Sequence, residues 1–210
     1  MEDMPLGKYD TKVAHKVLYS SSSRDFTMVE VPELHYLAID GHGDPNTSVE
    51  YAEALEALYP VAYTLKFESK KALGRDFVVG PLEGLWRAED MTAFTRREKD
   101  AWDWTMMISQ PDWITEDMVA SAIATVKAKK GIQAVDRLRL ATLHEGIAVQ
   151  ILHIGSYDDE APTLHRMHHE YMPAHGLTFN GDHHEVYLSD PRRTEAKKLK
   201  TILRQPVQPR

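Results

Sequence analysis

Apolar positions along this chain switch between two periods. From Phe26 to Asp40, Val29, Val31, Leu34, Tyr36, Leu37 and Ile39 read as extended chain, broken or bulged at Pro32, which cannot donate to a sheet ladder. Gly41-His42-Gly43-Asp44-Pro45-Asn46 then forms a turn, and Thr47 with Glu50 makes a capping box. Tyr51, Leu55, Leu58, Ala62 and Leu65 follow at helical spacing, with a kink expected at Pro60 and a stop at Gly74. Phe77 to Trp86 is a second apolar stretch, and the charged segment 87–101 reads as a loop. Trp102 to Ile108 predicts a strand closed by Ser109-Gln110-Pro111. Thr115 caps a second helix with Val119, Ala122, Ile123 and Val126 on one face, three lysines near its end and Gly131 beyond.

After Gly131 the order returns. Leu138 to Ile154 holds strand material turning at Glu145-Gly146, Pro162 opens a third helix that Gly176 ends, and His183 to Leu188 is a strand. Gly41-His42-Gly43-Asp44 matches Gly155-Ser156-Tyr157-Asp158, and Ile108-Ser109-Gln110-Pro111 matches Leu188-Ser189-Asp190-Pro191. These matches predict an α+β fold of duplicated β-α-β-β modules with pseudo-two-fold symmetry and a ligand cleft between the halves, where pockets are favoured. The expected boundaries are an arm over 1–25 and a domain over 26–210, with halves of about 26–131 and 132–210. Arg192 to Arg204 is expected to form a solvated helix and tail.

Composition narrows the chemistry. A hydrophobic fraction of 42% supports a sizeable core, and a net charge of −7 argues against a general grip on nucleic acid. With no cysteine, thiol nucleophiles, zinc-thiolate sites and disulfides are excluded. The start Met1-Glu2-Asp3 lacks a secretory pattern and no apolar run is long enough to span a bilayer, so a cytoplasmic monomer or homodimer is expected, with no membrane partner. The eleven histidines include His165, His168 and His169 at helical spacing, but no zinc-protease motif accompanies them and the adjacent His183 and His184 point to opposite faces. The expectation is no metal and no cofactor. Phosphate loops, dinucleotide fingerprints and nucleophile elbows are absent from the sequence.

The stretches Gly41 to Asn46, Pro81-Leu82-Glu83-Gly84-Leu85-Trp86, Trp102-Asp103-Trp104, His153 to Glu160 and His183 to Pro191 resemble the GyrI-like (SbmC-type) small-molecule-binding family, over the chain from about residue 8. The resemblance implies duplicated β-α-β-β modules with a cleft and a buried glutamate on the last strand facing the ligand, a place that Glu185 matches. Some members are effector domains of drug-responsive regulators, but no DNA-binding module accompanies this sequence. Free-standing members sharing the Pro-Leu-Glu-Gly-Leu-Trp and His-His-Glu-Val-Tyr-Leu-Ser-Asp-Pro patterns look like a subgroup that hydrolyses cyclopropane-bearing DNA alkylators of the yatakemycin type within an aromatic cage.

Strand alternation places Glu185 on one face with Tyr187 and His183, and a carboxylate desolvated among aromatic rings is a usable proton carrier. It would also attract cations. Trp86, beside Gly84, is the first candidate for the cage; Trp104, Tyr63, Tyr171, Phe179, Tyr187 and His183 are further ligand-binding candidates, set against core packing for each ring. Three functions compete: a hydrolase that protects the cell from planar hydrophobic electrophiles with Glu185 as catalytic carboxylate, a protein that sequesters drugs or toxins without turnover, and a ligand-sensing partner of a regulator or of DNA gyrase.

Overall fold

The computed structural model describes residues 7–88 and 98–210; the charged segment expected as a loop lies partly outside the described residues. Its centre is an antiparallel sheet of nine strands: β1 Thr27–Val31, β2 Leu34–His42, β3 Leu82–Arg87, β4 Asp103–Gln110, β5 Arg139–Leu143, β6 Gly146–Ile154, β7 Leu177–Phe179, β8 His183–Tyr187 and β9 Lys200–Pro209. The main path runs β1-β6-β9-β8-β3-β4-β2-β5, with β7 beside β9. The fold is α+β. The order reads alike from either end if β1 to β4 are equated with β5, β6, β8 and β9, and the middle of the sheet is the antiparallel pair β3–β8, with Gly84 opposite Glu185. β1 pairs with β6 and β5 with β2, so the first strand of each half lies on the other half.

This topology corrects three expectations. Arg192 to Arg204 is no solvated helix and tail: only Ala196–Lys198 makes a helical turn, and β9 is a central strand whose residues Thr201 to Val207 are buried. The run Thr201-Ile202-Leu203 is the signal of a strand covered on both faces, outweighed in the sequence by the flanking charges. Glu185 is therefore on the last strand but one. The match of Ile108-Ser109-Gln110-Pro111 with Leu188-Ser189-Asp190-Pro191 joins the ends of β4 and β8, which the strand order does not equate; the match after β2 and β6 does join equivalent turns.

Each helix is fixed by local chemistry. The helix α1, Thr11–Ala14, is capped by the Asp10 carboxylate. The long helix α2, Val49–Leu73, is capped by Ser48, whose hydroxyl accepts from the Tyr51 amide, rather than by Thr47; it runs through Pro60 and stops at Gly74 in the left-handed conformation. The helix α3, Glu116–Lys130, has Thr115 and Gly131 at its ends as expected. The helix α4, Ala161–His165, passes through a π-helical turn at Arg166–Tyr171 into α5, Met172–Ala174.

One sheet face is covered by α2 and α3 over Leu37, Ile39, Trp104, Met106 and Ile108, and by the α4–α5 segment over Val149, Ile151 and Leu203. The strip between them, above β3 and β8, carries the polar chemistry. Residues 11–22 run over the opposite face, where Leu18 and Tyr19 are buried against Val29, Val31, Tyr36, Val186 and Ile202. Burying apolar side chains on both faces at roughly 25 cal/mol per Å² supplies the main drive for this arrangement.

Candidate functional site

The strip between the two helical layers is built from alternate residues of paired strands. Glu185 and Tyr187 share a face of β8, and across the ladder Gly84 and Leu82 face them from β3. Gly84 leaves the space the site needs. A Cβ there would stand 3.0 Å from Trp86 Nε1 and 3.2 Å from Met106 Sδ, so any side chain would push the indole away. With glycine present, Trp86 Nε1 donates to the Tyr187 hydroxyl at 2.9 Å, and that hydroxyl donates to Glu185 Oε2 at 2.7 Å. The chain of two hydrogen bonds fixes one oxygen of Glu185. The other, Oε1, accepts no hydrogen bond among the described residues; His183 Nε2 lies 3.5 Å from it without hydrogen-bond alignment.

Aromatic rings wall this carboxylate. Tyr51, on the first turn of α2, faces Trp86 with centroids 6.4 Å apart and planes 28° from parallel, near the outer limit of ring stacking. Trp104 is fully buried behind Tyr51 and meets it edge-on at 5.2 Å. Its ring lies over Gly41, where a Cβ would come within 2.0 Å of it. Trp102 meets Trp86 edge-on at 5.7 Å, and Tyr157 meets Tyr187 edge-on at 5.6 Å from the side of α4. Burial first, and the charge of Glu185 second, raise the hydroxyls of Tyr51 and Tyr187 above the usual phenol range. Burial, Glu160 and Glu185 push Tyr157 up to about 12. These phenols stay protonated at neutral pH and can donate.

A second carboxyl stands in the same strip. Glu160, at the start of α4, is only 5% exposed. Burial, and then the charge of Glu185, push it up to about 10. At the His183 end of the strip, His168 of the π-helical turn packs edge-on against His183 at 6.2 Å and Phe179 at 5.0 Å, and burial with His183 holds it down at about 3.

The expected site residues thus divide. Glu185, Tyr187, Trp86 and His183 come together, with Trp104 as backing. Tyr63, on α2, is 48% exposed, Phe179 is 42% exposed, and Tyr171 packs against Phe26 and His175. Tyr51, Tyr157 and Glu160 are not among the site residues expected from the sequence. Their signals were faint: Tyr51, Tyr59 and Tyr63 fall on one stripe of α2 at intervals of four and eight residues, and Tyr157 and Glu160 sit inside the matched stretch His153 to Glu160.

A separate groove of about 510 Å³ follows the edge of β1, lined by Lys16, Val17, Ser20 and Thr27 to Glu30. It presents no aromatic ring and one carboxylate, so the strip above β3 and β8 is the candidate site.

Among the described residues no helix is long and apolar enough to cross a membrane. A search among curated proteins found no match. Among solved structures, the chain is similar to an uncharacterized conserved protein from Listeria innocua, at 38% identity and a TM-score of 0.87, over 96% of this chain and 100% of that one. It is similar to a hydrolase from Listeria innocua at 38% identity and a TM-score of 0.83, over the same shares. The C-terminal domain of EcmrR, at 11% identity and a TM-score of 0.55 over 89% of this chain and 98% of that one, shares the fold alone. The model of the GyrI-like small molecule binding domain matches residues 24–208, and with the strip's geometry and the relatives at 38% identity this places the chain in the GyrI-like family.

Proposed function

We propose that this protein is a hydrolase that binds planar, hydrophobic xenobiotics in the aromatic strip and opens the cyclopropane of DNA alkylators of the yatakemycin type, protecting the cell. The observation that carries the reading is the relay Trp86–Tyr187–Glu185, which fixes one oxygen of a carboxylate among aromatic walls and leaves the other free to accept from water. The likeness to a hydrolase from Listeria innocua supports it.

In the reaction a water oxygen forms a bond to the cyclopropane methylene while the strained carbon–carbon bond breaks. The electron pair passes through the conjugated ring to the carbonyl oxygen, which takes a proton and becomes a phenol. Glu185 Oε1 accepts the proton that the water loses. Tyr187 holds the carboxylate in the attacking orientation, and Trp86 and Tyr51 align the flat ligand against it.

The test is incubation with a spiro-cyclopropane dienone and mass spectrometry of the product. Wild type should add one water, and Glu185→Gln should lower kcat by roughly 10²-fold or more. Unchanged turnover in Glu185→Gln would sink the mechanism. Stoichiometric binding without product would overturn hydrolysis in favour of sequestration.

A further inference from the structure

The strip holds a polar group that the relay does not use. Glu160 lies where α4 begins, above β8 and β9, and is buried. Its Oε1 has no hydrogen-bond partner among the described residues. The Thr201 hydroxyl on β9 is near enough to favour its ionised form, yet it makes no aligned hydrogen bond either. Thr201 is opposite Tyr187 in the β8–β9 ladder, which puts Glu160 over the same strip as Glu185. An unpartnered carboxyl in such a place costs stability unless a ligand meets it.

We infer that Glu160 is the proton donor of the cleft: a neutral carboxyl that hydrogen-bonds the carbonyl oxygen of the bound ligand and protonates it as the ring opens. The inference rests on the hydrolase reading above and deepens it. Both proton transfers then belong to one carboxyl pair. Glu185 takes a proton from water as the oxygen–carbon bond forms, and Glu160 gives its proton to the oxygen that receives the electron pair. One proton moving from Glu185 to Glu160, directly or through solvent, restores the starting state, and the net change is the addition of water. Two like carboxyls in a dry site divide in this way because only one of them can ionise cheaply.

The groups facing Glu160 agree with that division. β8 offers Glu185 and Tyr187, β9 Thr201, and the preceding turn Tyr157 and Asp158.

Three measurements on the full chain test the inference. Glu160→Gln should lower kcat for the spiro-cyclopropane dienone by roughly 10²-fold with little change in KM. A gem-dimethyl dienone, which keeps the carbonyl and lacks the cyclopropane, should bind wild type with its C=O stretch shifted to lower frequency, and that shift should shrink in Glu160→Gln. The melting temperature of the ligand-free variant at pH 7 should rise, because a buried carboxyl that resists ionisation weakens the native state there; a merely structural residue would lower it. Wild-type turnover in Glu160→Gln, or an unshifted carbonyl stretch in wild type, overturns the inference. If wild type binds the dienone with a shifted carbonyl but never forms product, the hydrolase reading fails and Glu160 stands only as the ligand's hydrogen-bond donor. Should Glu160→Gln not fold, the carbonyl shift in wild type and the kcat of Glu160→Asp decide.

Discussion

The two faces of β8 carry similar groups to opposite ends. On the face toward residues 11–22, Glu83 accepts from the Tyr19 hydroxyl at 2.7 Å, the Tyr36 hydroxyl at 3.3 Å and His184 Nε2 at 3.0 Å. The other nitrogen of His184 donates to Glu145 at 3.0 Å. Arg204 donates to Glu145, to the Gln150 side chain and to the Leu18 carbonyl. Two carboxyls thus meet two cationic groups, and each is held by several partners. On the cleft face, among the described residues, one oxygen of Glu185 accepts no hydrogen bond, His183 makes none and Glu160 has an unpartnered oxygen. A closed polar network fixes a fold, while one left partly open is ready for a ligand.

The largest effect that could break this contrast is at Arg204. Replacing it with leucine leaves Glu145 buried beside one cation instead of two, and urea unfolding should show a loss of roughly 3–5 kcal/mol. A loss below about 1 kcal/mol would mean that the closed network does not hold the fold.

The same network sets a pH window. Burial works against His184, but Glu145 and Glu83 outweigh it and raise His184 to about 9, while His184 and Arg204 overcome burial and lower Glu145 to about 2. The histidine's contribution is complete below its ordinary value of 6.5 and fades as pH rises through about 9. The carboxylate's contribution is complete above its ordinary 4.5 and fades as pH falls toward about 2. The contribution of this network should therefore be flat from about pH 5 to 6.5 and be lost by pH 9.5, by an amount on the order of a few kcal/mol, read as the difference in unfolding free energy between wild type and His184→Gln. His184→Gln should reduce the alkaline fall and leave the part due to Glu160, held at about 10.

On the open face the effects are smaller for the fold. Tyr187→Phe removes the hydroxyl between Trp86 and Glu185 and should cost about 1–2 kcal/mol of stability. It should change the Trp86 fluorescence and weaken binding of a planar dye in titration. Smallest of all, Tyr63→Ala, at a half-exposed ring, should stay within about 0.5 kcal/mol of wild type and leave dye binding unaltered. Weaker dye binding by Tyr63→Ala would extend the site along the stripe of α2.

How much of this could be read in the chain varies with the range of the interaction. Helix ends were legible because caps are local: Thr115, Gly131 and Gly74 each act within one turn. The shared face of Glu185, Tyr187 and His183 was legible because alternation is local too. β9 is hidden in the sequence because the charges of Arg192 to Lys198 precede it, and Arg204 is neutralised by Glu145, 59 residues away in sequence. Tyr51 and Glu160 reach Glu185 only through the packing of α2 and α4 on the sheet, and nothing in their own neighbourhoods marks that meeting.

The exchange of first strands carries a mechanical consequence. β1 is a latch fastened to the far half, and β5 is its counterpart, so the halves are clasped twice in addition to the β3–β8 seam. Hinge opening of the kind seen in two-lobed binding proteins would have to tear all three ladders. For a guest in the proposed cleft, the three ladders make a floor that resists opening, and among the described residues the walls left to adjust are α2 and the turn at Tyr157.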